Sequence, residues 1–379
     1  AVRKLGLKDT RRVGAADRLL ALEVGAEAPT RSLLLKMAKH YRRPLLTFYM
    51  SAPPAKGDRG QDFRNLPNLD RGVEALLDAL VRDVRARQSI VRSVLDDEED
   101  VRPLPFVGSM RIENGVGAVL ASIRQILAID LAEFRAQASP ESAFGLLRSG
   151  VEAAGVFVLL MGNLGSHHTA MDVEIFRGFA LADEVAPFVV INDQDAKPAW
   201  SFTLLHELAH IWLGTTGVSG GLADAQIERF CNDVASAYLL PTSELPSVGI
   251  NAAVDLAEAS RRISEFARER HLSRSMVAYR LLRVGALSQQ VWQALTQQFR
   301  DQWRQTREAQ RERDRQRDGG PDYYVVRRHR LGPALLRFVS RSLSGGALTP
   351  TKASKVLGVK PRSVRQLLNG AALAIGQAA

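Results

Sequence analysis

Residues 202–213 read FTLLHELAHIWL, and the interpretation of the whole chain starts from this stretch. His206 and His210 are four residues apart, so both imidazoles project from one face if the stretch is helical. Glu207 stands beside them. The surrounding residues are apolar, which predicts a buried helix, and histidines on a buried helix need partners. A His-Glu-x-x-His helix is typical of a metal site that uses the glutamate as a general base.

A third metal ligand is expected on a second helix. A catalytic zinc has three protein ligands and leaves one position for water. The sequence predicts a helix from about residue 225 to 240, whose core face is formed by Ile227, Phe230, Cys231, Val234 and Tyr238. Glu228 lies beside that face and is the predicted third ligand. Asp224 and Asp233 are the alternatives.

Each assignment also has an interpretation without a metal. His206 and His210 would then be core residues held by backbone or carboxylate groups, and Glu228 would be a surface carboxylate paired with Arg229 or Arg262. The chain has only seven histidines. The spacing of the pair therefore arises rarely by chance, and the pattern favours a metal.

These residue types predict amide hydrolysis. Zinc polarises a carbonyl group and lowers the pKa of a bound water. Glu207 is the predicted general base, which takes the proton of that water and passes it to the leaving amine. We expect one Zn²⁺ per chain, with another divalent metal such as Mn²⁺ as the alternative.

Several other polar residues are candidates for lesser roles. Cys231 lies on an apolar helix face, so a buried structural thiol is favoured over a ligand or nucleophile. His167 and His168 lie in a polar loop and are expected at the surface. Tyr238 and His271 are candidates to assist the oxyanion, although core packing is expected for Tyr238 and exposure for His271.

Three short apolar stretches precede the helix that carries the histidines. Residues 156–161, 175–181 and 188–192 are predicted strands. A small sheet followed by helices indicates the α+β class. We expect strand 188–192 to be an edge strand that lines the cleft, because an edge strand can bind an extended peptide through main-chain hydrogen bonds.

The remaining sequence suggests four segments. Residues 51–60 are rich in turn-forming residues and predict a linker. The expected organisation is 1–59 as a helical domain and linker, 60–150 as a helical segment, 151–299 as the domain with the sheet, and 300–379 as a basic linker followed by a small helical unit. Within the third segment, residues 263–282 have helix-turn-helix spacing, for which a structural role is favoured.

The charge is unevenly distributed along the chain. The net charge is +10; residues 1–59 carry 13 basic and 5 acidic side chains, and residues 298–379 carry 17 and 6. Basic segments attract phosphates, so nucleic acid is a candidate partner, with a solvated basic surface as the alternative.

The C-terminal residues 348–365 are similar to a basic helix-turn-helix. Lys360, Arg362 and Arg365 are its predicted DNA contacts, and packing of the unit on the core is the alternative. We expect any nucleic-acid contact to come from the basic flanks.

The composition indicates the compartment of the protein and whether it spans a membrane. The single cysteine excludes an internal disulfide framework and fits a reducing compartment. No apolar run approaches the ~20 residues that span a bilayer, and the N-terminal residues lack an apolar signal core. The sequence therefore predicts a cytoplasmic protein without a membrane partner.

The central part of the chain resembles the ImmA/IrrE family of metallopeptidases. The resemblance rests on FRGFA at 176–180, PFVVIND at 187–193, FTLLHELAH at 202–210, ERFCN at 228–232 and LLP at 239–241. It implies a small thermolysin-like zincin domain, with His206, His210 and Glu228 as zinc ligands and Glu207 as general base. Known members of the family cleave a cognate DNA-binding repressor and so release stress-response or mobile-element genes.

The N-terminal residues resemble the end of a lambda-repressor-like (XRE) helix-turn-helix domain. Matching positions include Leu22-Glu23, Pro29-Thr30, residues 35–41 and Phe48-Tyr49. No clear recognition helix precedes Leu22, and a degenerate docking module is the alternative.

Two functions follow from these patterns. The first is a zinc metalloprotease acting on a repressor or antitoxin-like protein. The second is a DNA-binding regulator or antitoxin-like protein whose metal site is structural or inactive.

Overall fold

The computed structural model describes residues 14–41, 43–52, 71–98, 101–215, 222–251, 254–315 and 322–375. The chain divides into two compact units, residues 1–59 and 60–379. The first unit contains α1 (Ala15–Glu23), α2 (Arg31–Tyr41) and a 3-10 segment, Leu45–Tyr49. Residues 1–13, which precede α1, lie outside the described residues. The resemblance of this unit to a repressor domain stays a prediction.

The second unit alternates helices with one small sheet. Its first helices are α3 (Arg71–Asp96), α4 (Gly115–Leu127), α5 (Leu131–Arg135) and α6 (Pro140–Ala153). The strands are β1 (Phe157–Leu160), β2 (Gly178–Leu181) and β3 (Phe188–Ile191). The next helices are α7 (Lys197–Trp212), α8 (Leu222–Leu239), α9 (Leu256–Glu269), α10 (Arg274–Arg283) and α11 (Gln289–Arg315). The last are α12 (Tyr323–Leu331), α13 (Pro333–Ser344), α14 (Pro350–Leu357) and α15 (Val364–Ile375). This composition is of the α+β class.

The sheet has the strand order β1-β3-β2, which corrects one expectation. β3 pairs in parallel with β1 and antiparallel with β2, so Ile191 is opposite Leu160 on one side and Gly178 on the other. The prediction that 188–192 is an edge strand is therefore wrong, since both of its edges are already hydrogen-bonded. Among the described residues, β2 has a partner only on its β3 side.

The sheet is buried on both faces, which explains why its strands are continuous apolar runs. One face contributes Val158, Ala180, Val189 and Ile191 to a core shared with α7 and α8. The opposite face contributes Phe157, Leu159, Phe188 and Val190 to a second core shared with α3 and α12–α15. The three sequence segments of 60–379 therefore pack into one unit, because the first and last of them supply the cover for the second face of the sheet.

A buried ion pair ties the C-terminal helices to the sheet. Arg148 on α6 donates to Glu152 Oε1 at 2.9 Å, to the His329 carbonyl at 2.6 Å and to the Val158 carbonyl. Glu152 Oε2 accepts a hydrogen bond from the Ala334 N–H at 2.9 Å. Both side chains are buried, and each charge has partners, as a buried ion pair requires.

Helices α9 and α10 contribute to the first core. Ile263, Phe266 and Ala267 of α9 and Met276, Val277 and Leu281 of α10 are buried in it, which agrees with the structural role expected for residues 263–282. No helix among the described residues has both the length and the apolar composition to cross a membrane.

Candidate metal centre

Two packed helices bring the predicted ligands together. α7 starts with Pro198 in its first turn, where a missing N–H costs no hydrogen bond, and most of its residues are buried. α8 packs along α7, with Ala235 fully buried in the core between the helices. Glu228 of α8 thereby faces His206 and His210 of α7.

The three side chains converge on one point. Glu228 Oε1 is 2.9 Å from His210 Nε2, and Glu228 Oε2 is 3.2 Å from His206 Nε2. The two Nε2 atoms are 3.2 Å apart. One donor atom from each residue lies within 4.8 Å of the others. Ligand atoms around a tetrahedral ion at ~2.0–2.1 Å are ~3.3 Å apart, so this spacing fits a zinc-sized cation.

The surroundings of His210 favour the same orientation. Its Nδ1 is 3.0 Å from Thr215 Oγ1, and that hydroxyl in turn donates to the His210 carbonyl. The hydroxyl therefore accepts from Nδ1–H, so the proton that His210 would give up to a metal ion is the one on Nε2, which faces Glu228. Metal-bound histidines are held in the required tautomer by such outer hydrogen bonds. Thr215 was not predicted, because its contact depends on how the chain turns after α7.

The electrostatics keep the Glu228 carboxylate ionised. Burial opposes its charge, but hydrogen bonds from His206 and His210 outweigh burial and lower the pKa of Glu228 to about 2. Burial lowers the pKa of His210. Burial opposes the charge of His206, but its hydrogen bond to Glu228 and the charges of Glu207 and Glu228 outweigh burial and raise the pKa of His206. A divalent cation binds a charged carboxylate and neutral imidazoles, so metal binding would release the proton of His206.

Of the two alternatives for the third ligand, Asp233 is not supported. Asp233 accepts hydrogen bonds from Tyr279 Oη at 2.8 Å and Arg283 Nη2 at 2.6 Å, and therefore stabilises the packing of α8 on α10. Arg262 donates to Glu258 at 2.6 Å and not to Glu228. The side chain of Asp224 lies outside the described residues.

Glu207 lies in the same cleft, next to β2. It is buried, with 5% of its surface exposed. A Cβ atom at Gly178 would lie 3.0 Å from Glu207 Oε1 and 2.6 Å from Thr203 Cγ2. β2 therefore approaches α7 at a glycine, and this close approach places the edge strand beside the glutamate.

The cleft has a volume of about 1010 Å³ and is formed by several elements. Its floor is α7 with Glu228 and Asn232 of α8. One wall is β2 with the loop before it, and the opposite wall includes α10 and α11. Arg304 of α11 forms an ion pair with Glu174 in the loop before β2, so the two walls are joined at that point.

The wall from α11 was missed by sequence reasoning. The sequence predicts a basic linker from residue 300, whereas α11 is one helix from Gln289 to Arg315 that contributes Phe299 and Trp303 to the cleft. These aromatic residues are four apart in a polar helix, and this spacing was the available signal. Because the residues around them are charged, this spacing did not indicate a wall of a cleft.

β2 offers main-chain groups on its outer edge. The Asn192 N–H donates to the Arg177 carbonyl at 2.8 Å, so Arg177, Phe179 and Leu181 direct their backbone groups toward β3. In an antiparallel pair the intervening residues direct theirs away. Gly178 and Ala180 therefore direct their backbone groups to the outer edge, where no strand among the described residues is paired. Of the two, Gly178 lines the cleft, whereas Ala180 is fully buried.

The other candidates lie elsewhere. Cys231 is fully buried and free, and Tyr238 is buried in the core, as their helix face predicts. His271 is half-buried and not exposed, with Nε2 2.6 Å from the Gln137 carbonyl oxygen. His168 is exposed; the His167 side chain lies outside the described residues.

The predicted DNA contacts Lys360, Arg362 and Arg365 are all exposed. They belong to the helices that cover the face of the sheet opposite to α7. They are thus separate from the metal centre.

Comparison with known families agrees with this description. Residues 156–282 match the Peptidase_M78 family model, described as the IrrE N-terminal-like domain. The match extends from β1 to α10 and includes Glu207 and all three converging ligands. It covers about a third of the chain and supports the resemblance to ImmA/IrrE proteins. No curated protein matches the chain.

Proposed function

We propose that the chain is a zinc-dependent metallopeptidase that hydrolyses a peptide bond in a cognate regulatory protein, a DNA-binding repressor or an antitoxin-like protein. The observation that carries this proposal is the convergence of His206, His210 and Glu228 in a cleft that also contains Glu207. The match to the IrrE N-terminal-like model over these residues supports the peptidase class.

The chemistry of the three converging side chains fits a catalytic zinc ion. Two imidazole Nε2 atoms and one carboxylate oxygen are the ligands of a His₂Glu catalytic zinc. When bound, zinc supplies Lewis-acid chemistry and lowers the pKa of a coordinated water. Three converging side chains leave a position for that water, whereas a structural zinc site is closed by four protein ligands.

Glu207 supplies the proton transfer. Its carboxylate accepts the proton of the attacking water and delivers it to the nitrogen of the leaving amine. Burial of the carboxylate beside β2 restricts its rotamers and removes competing bulk water, so a substrate lying against β2 meets a positioned base.

β2 is the proposed platform for the substrate. The Gly178 backbone groups line the cleft and can pair with an extended peptide there, which adds a strand to the sheet. This replaces the role expected for 188–192. Because main-chain pairing carries little side-chain specificity, selection of one protein substrate would rest on the walls, where Phe299 and Trp303 supply aromatic surface.

The test compares zinc-loaded wild type with the Glu207→Gln variant on a library of unstructured peptides, with cleavage mapped by mass spectrometry. We expect Glu207→Gln to bind zinc normally and to lose cleavage by at least about 10²-fold, the usual worth of a general base. Glu133→Gln is a matched control, since Glu133 is exposed on α5, and it should cleave as wild type does. Equal cleavage by Glu207→Gln, or no cleavage by zinc-loaded wild type, would contradict the proposal.

A further inference from the structure

The last helices of the chain form a helix-turn-helix. α14 is capped at its start by Thr349 Oγ1, which accepts the Lys352 N–H at 3.3 Å. It ends at Gly358, whose φ of +59° is the left-handed conformation that glycine adopts readily. A short turn and the 3-10 segment Pro361–Ser363 then lead into α15.

The turn is held by a half-buried arginine. Arg327 of α12 donates to the Leu357 carbonyl at 2.7 Å and to the Gly358 carbonyl at 3.0 Å. A Cβ atom at Gly358 would lie 2.3 Å from Arg327 Nη2, so a side chain at this position would have to displace the guanidinium. The relative position of α14 and α15 is therefore fixed by the fold.

The inner faces of both helices account for their packing. Ala353, Val356 and Leu357 of α14 are buried, as are Val364 and Leu367 of α15, and all five join the core behind the sheet. The outer faces make no contribution to that core, so packing does not explain their composition.

The outer face of α15 carries the side chains that read bases. Arg365, Gln366 and Asn369 of α15 are exposed, as is Arg362 in the 3-10 segment that precedes it. Asn369 is four residues after Arg365 and three after Gln366, which places these three side chains on one helix face. In the major groove of DNA, arginine pairs with guanine through two hydrogen bonds, and glutamine or asparagine pairs with adenine. A face made only of these types is suited to sequence readout.

The neighbouring surface is suited to phosphates. Lys352, Lys355 and Lys360 are exposed on α14 and the turn. Residues 322–375 contain ten lysines and arginines and one acidic residue, Asp322. Such a surface attracts the DNA backbone, while contacts from lysine orient the protein without reading sequence.

We infer that α13–α15 are a DNA-binding module that places α15 in the major groove of duplex DNA. Double-stranded RNA is disfavoured as the ligand because its major groove is too deep and narrow for such a helix. This binding site lies across the sheet from the metal centre, and the inference stands independently of the proposed peptidase activity.

The first test measures phosphate contacts. Affinity of the full chain for a random 20-base-pair duplex is followed by fluorescence anisotropy over a salt series, for wild type and the triple variant Lys352→Ala/Lys355→Ala/Lys360→Ala. Each neutralised phosphate contributes about 0.9 to the salt slope, so the triple variant should lose about 2 to 3 from it. The control Arg102→Ala/Arg268→Ala removes two exposed charges elsewhere and should keep the wild-type slope.

The second test measures base readout. Selection from a pool of random duplexes should enrich a sequence motif with wild type, and Gln366→Ala/Asn369→Ala should lose or alter that motif while keeping the affinity for random duplexes. The inference is overturned if the full chain shows no salt-sensitive binding, if the lysine variant keeps the wild-type slope, or if duplex RNA competes as well as duplex DNA. An unchanged motif in the Gln366/Asn369 variant would overturn the assignment of α15 as the reading helix.

Discussion

Glu228 shows how a single residue is prepared for a metal. Burial alone would favour its protonated form, yet the paired hydrogen bonds from His206 and His210 keep the carboxylate charged. These three groups are each other's partners in the absence of an ion, at 2.9–3.2 Å. The donor atoms of the three side chains already converge on the point where a cation would bind. Binding would therefore need little rearrangement of these side chains.

Cys231 gives a prediction at the residue scale. It is three residues from Glu228 on α8, it is fully buried, and burial raises the pKa of its thiol. Because the thiolate is the reactive form, Cys231 should not react with a thiol reagent such as DTNB in the native protein and should react fully in denaturant. Rapid native labelling, on the timescale of an exposed thiol, would show that α8 is not packed as described.

The residues that could be predicted are those fixed by spacing along one helix. Four-residue spacing puts His206 and His210 on one face, and the position of Glu228 beside an apolar face places it near the neighbouring helix. Thr215, Gly178 and Phe299 could not be found in this way. Their roles arise from contacts between elements that are distant in sequence, and a helical period carries no information about such contacts.

At the scale of elements, the order of the strands decides where a substrate can bind. Each strand is buried at all four positions, so the sequence identified three strands but gave no sign of which was central. The second face of the sheet is covered by α3 and α12–α15, which come from the two ends of the unit. The strand sequences carry no information about this cover. β1 and β2 are both edge strands, because each pairs only with β3 among the described residues. β2 is the one that lies beside Glu207.

Gly178→Ala tests the close approach of β2 to α7. The new Cβ atom would lie 2.6 Å from Thr203 Cγ2 and 2.9 Å from the Val190 carbonyl oxygen, and the latter cannot move away freely because it is backbone. We expect a loss of about 1–3 kcal/mol in the free energy of unfolding, as for other overpacked sites, measured by urea denaturation.

Gly145→Ala on α6 is the matched control. A Cβ atom there meets nothing within 4 Å, so alanine should stabilise the helix by about 0.5–1 kcal/mol. Equal effects of the two substitutions would contradict the described contact between β2 and α7.

At the scale of the whole second unit, one buried network connects the peptidase-like part to the C-terminal helices. Arg148 bonds Glu152, β1 and the end of α12, while Glu152 binds the first turn of α13 through the Ala334 N–H. This network explains why the segment after residue 300 is not a separate domain. This network could not be predicted from the sequence, because Arg148 and Glu152 are only one of many charged pairs at helical spacing.

Arg148→Ala tests that connection. Removing one partner leaves the Glu152 charge buried, which typically costs about 3–5 kcal/mol, and urea denaturation should report this loss in a single transition of the second unit. The double variant Arg148→Met/Glu152→Leu removes both charges and should lose less than Arg148→Ala alone. A double variant that is as unstable as the single one would show that the ion pair is not the stabilising feature.

We propose that His206, His210 and Glu228 form one metal site. The most direct measurement is zinc affinity and stoichiometry by competition with a chelating dye, for metal-free wild type, Glu228→Ala and Glu207→Gln. We expect one tightly bound ion for wild type and for Glu207→Gln. Glu228→Ala should lose at least about 100-fold in affinity, since a direct ligand should matter at least as much as the outer partners that orient ligands. Equal zinc affinity of Glu228→Ala and wild type, or no stoichiometric zinc in wild type, would contradict the account.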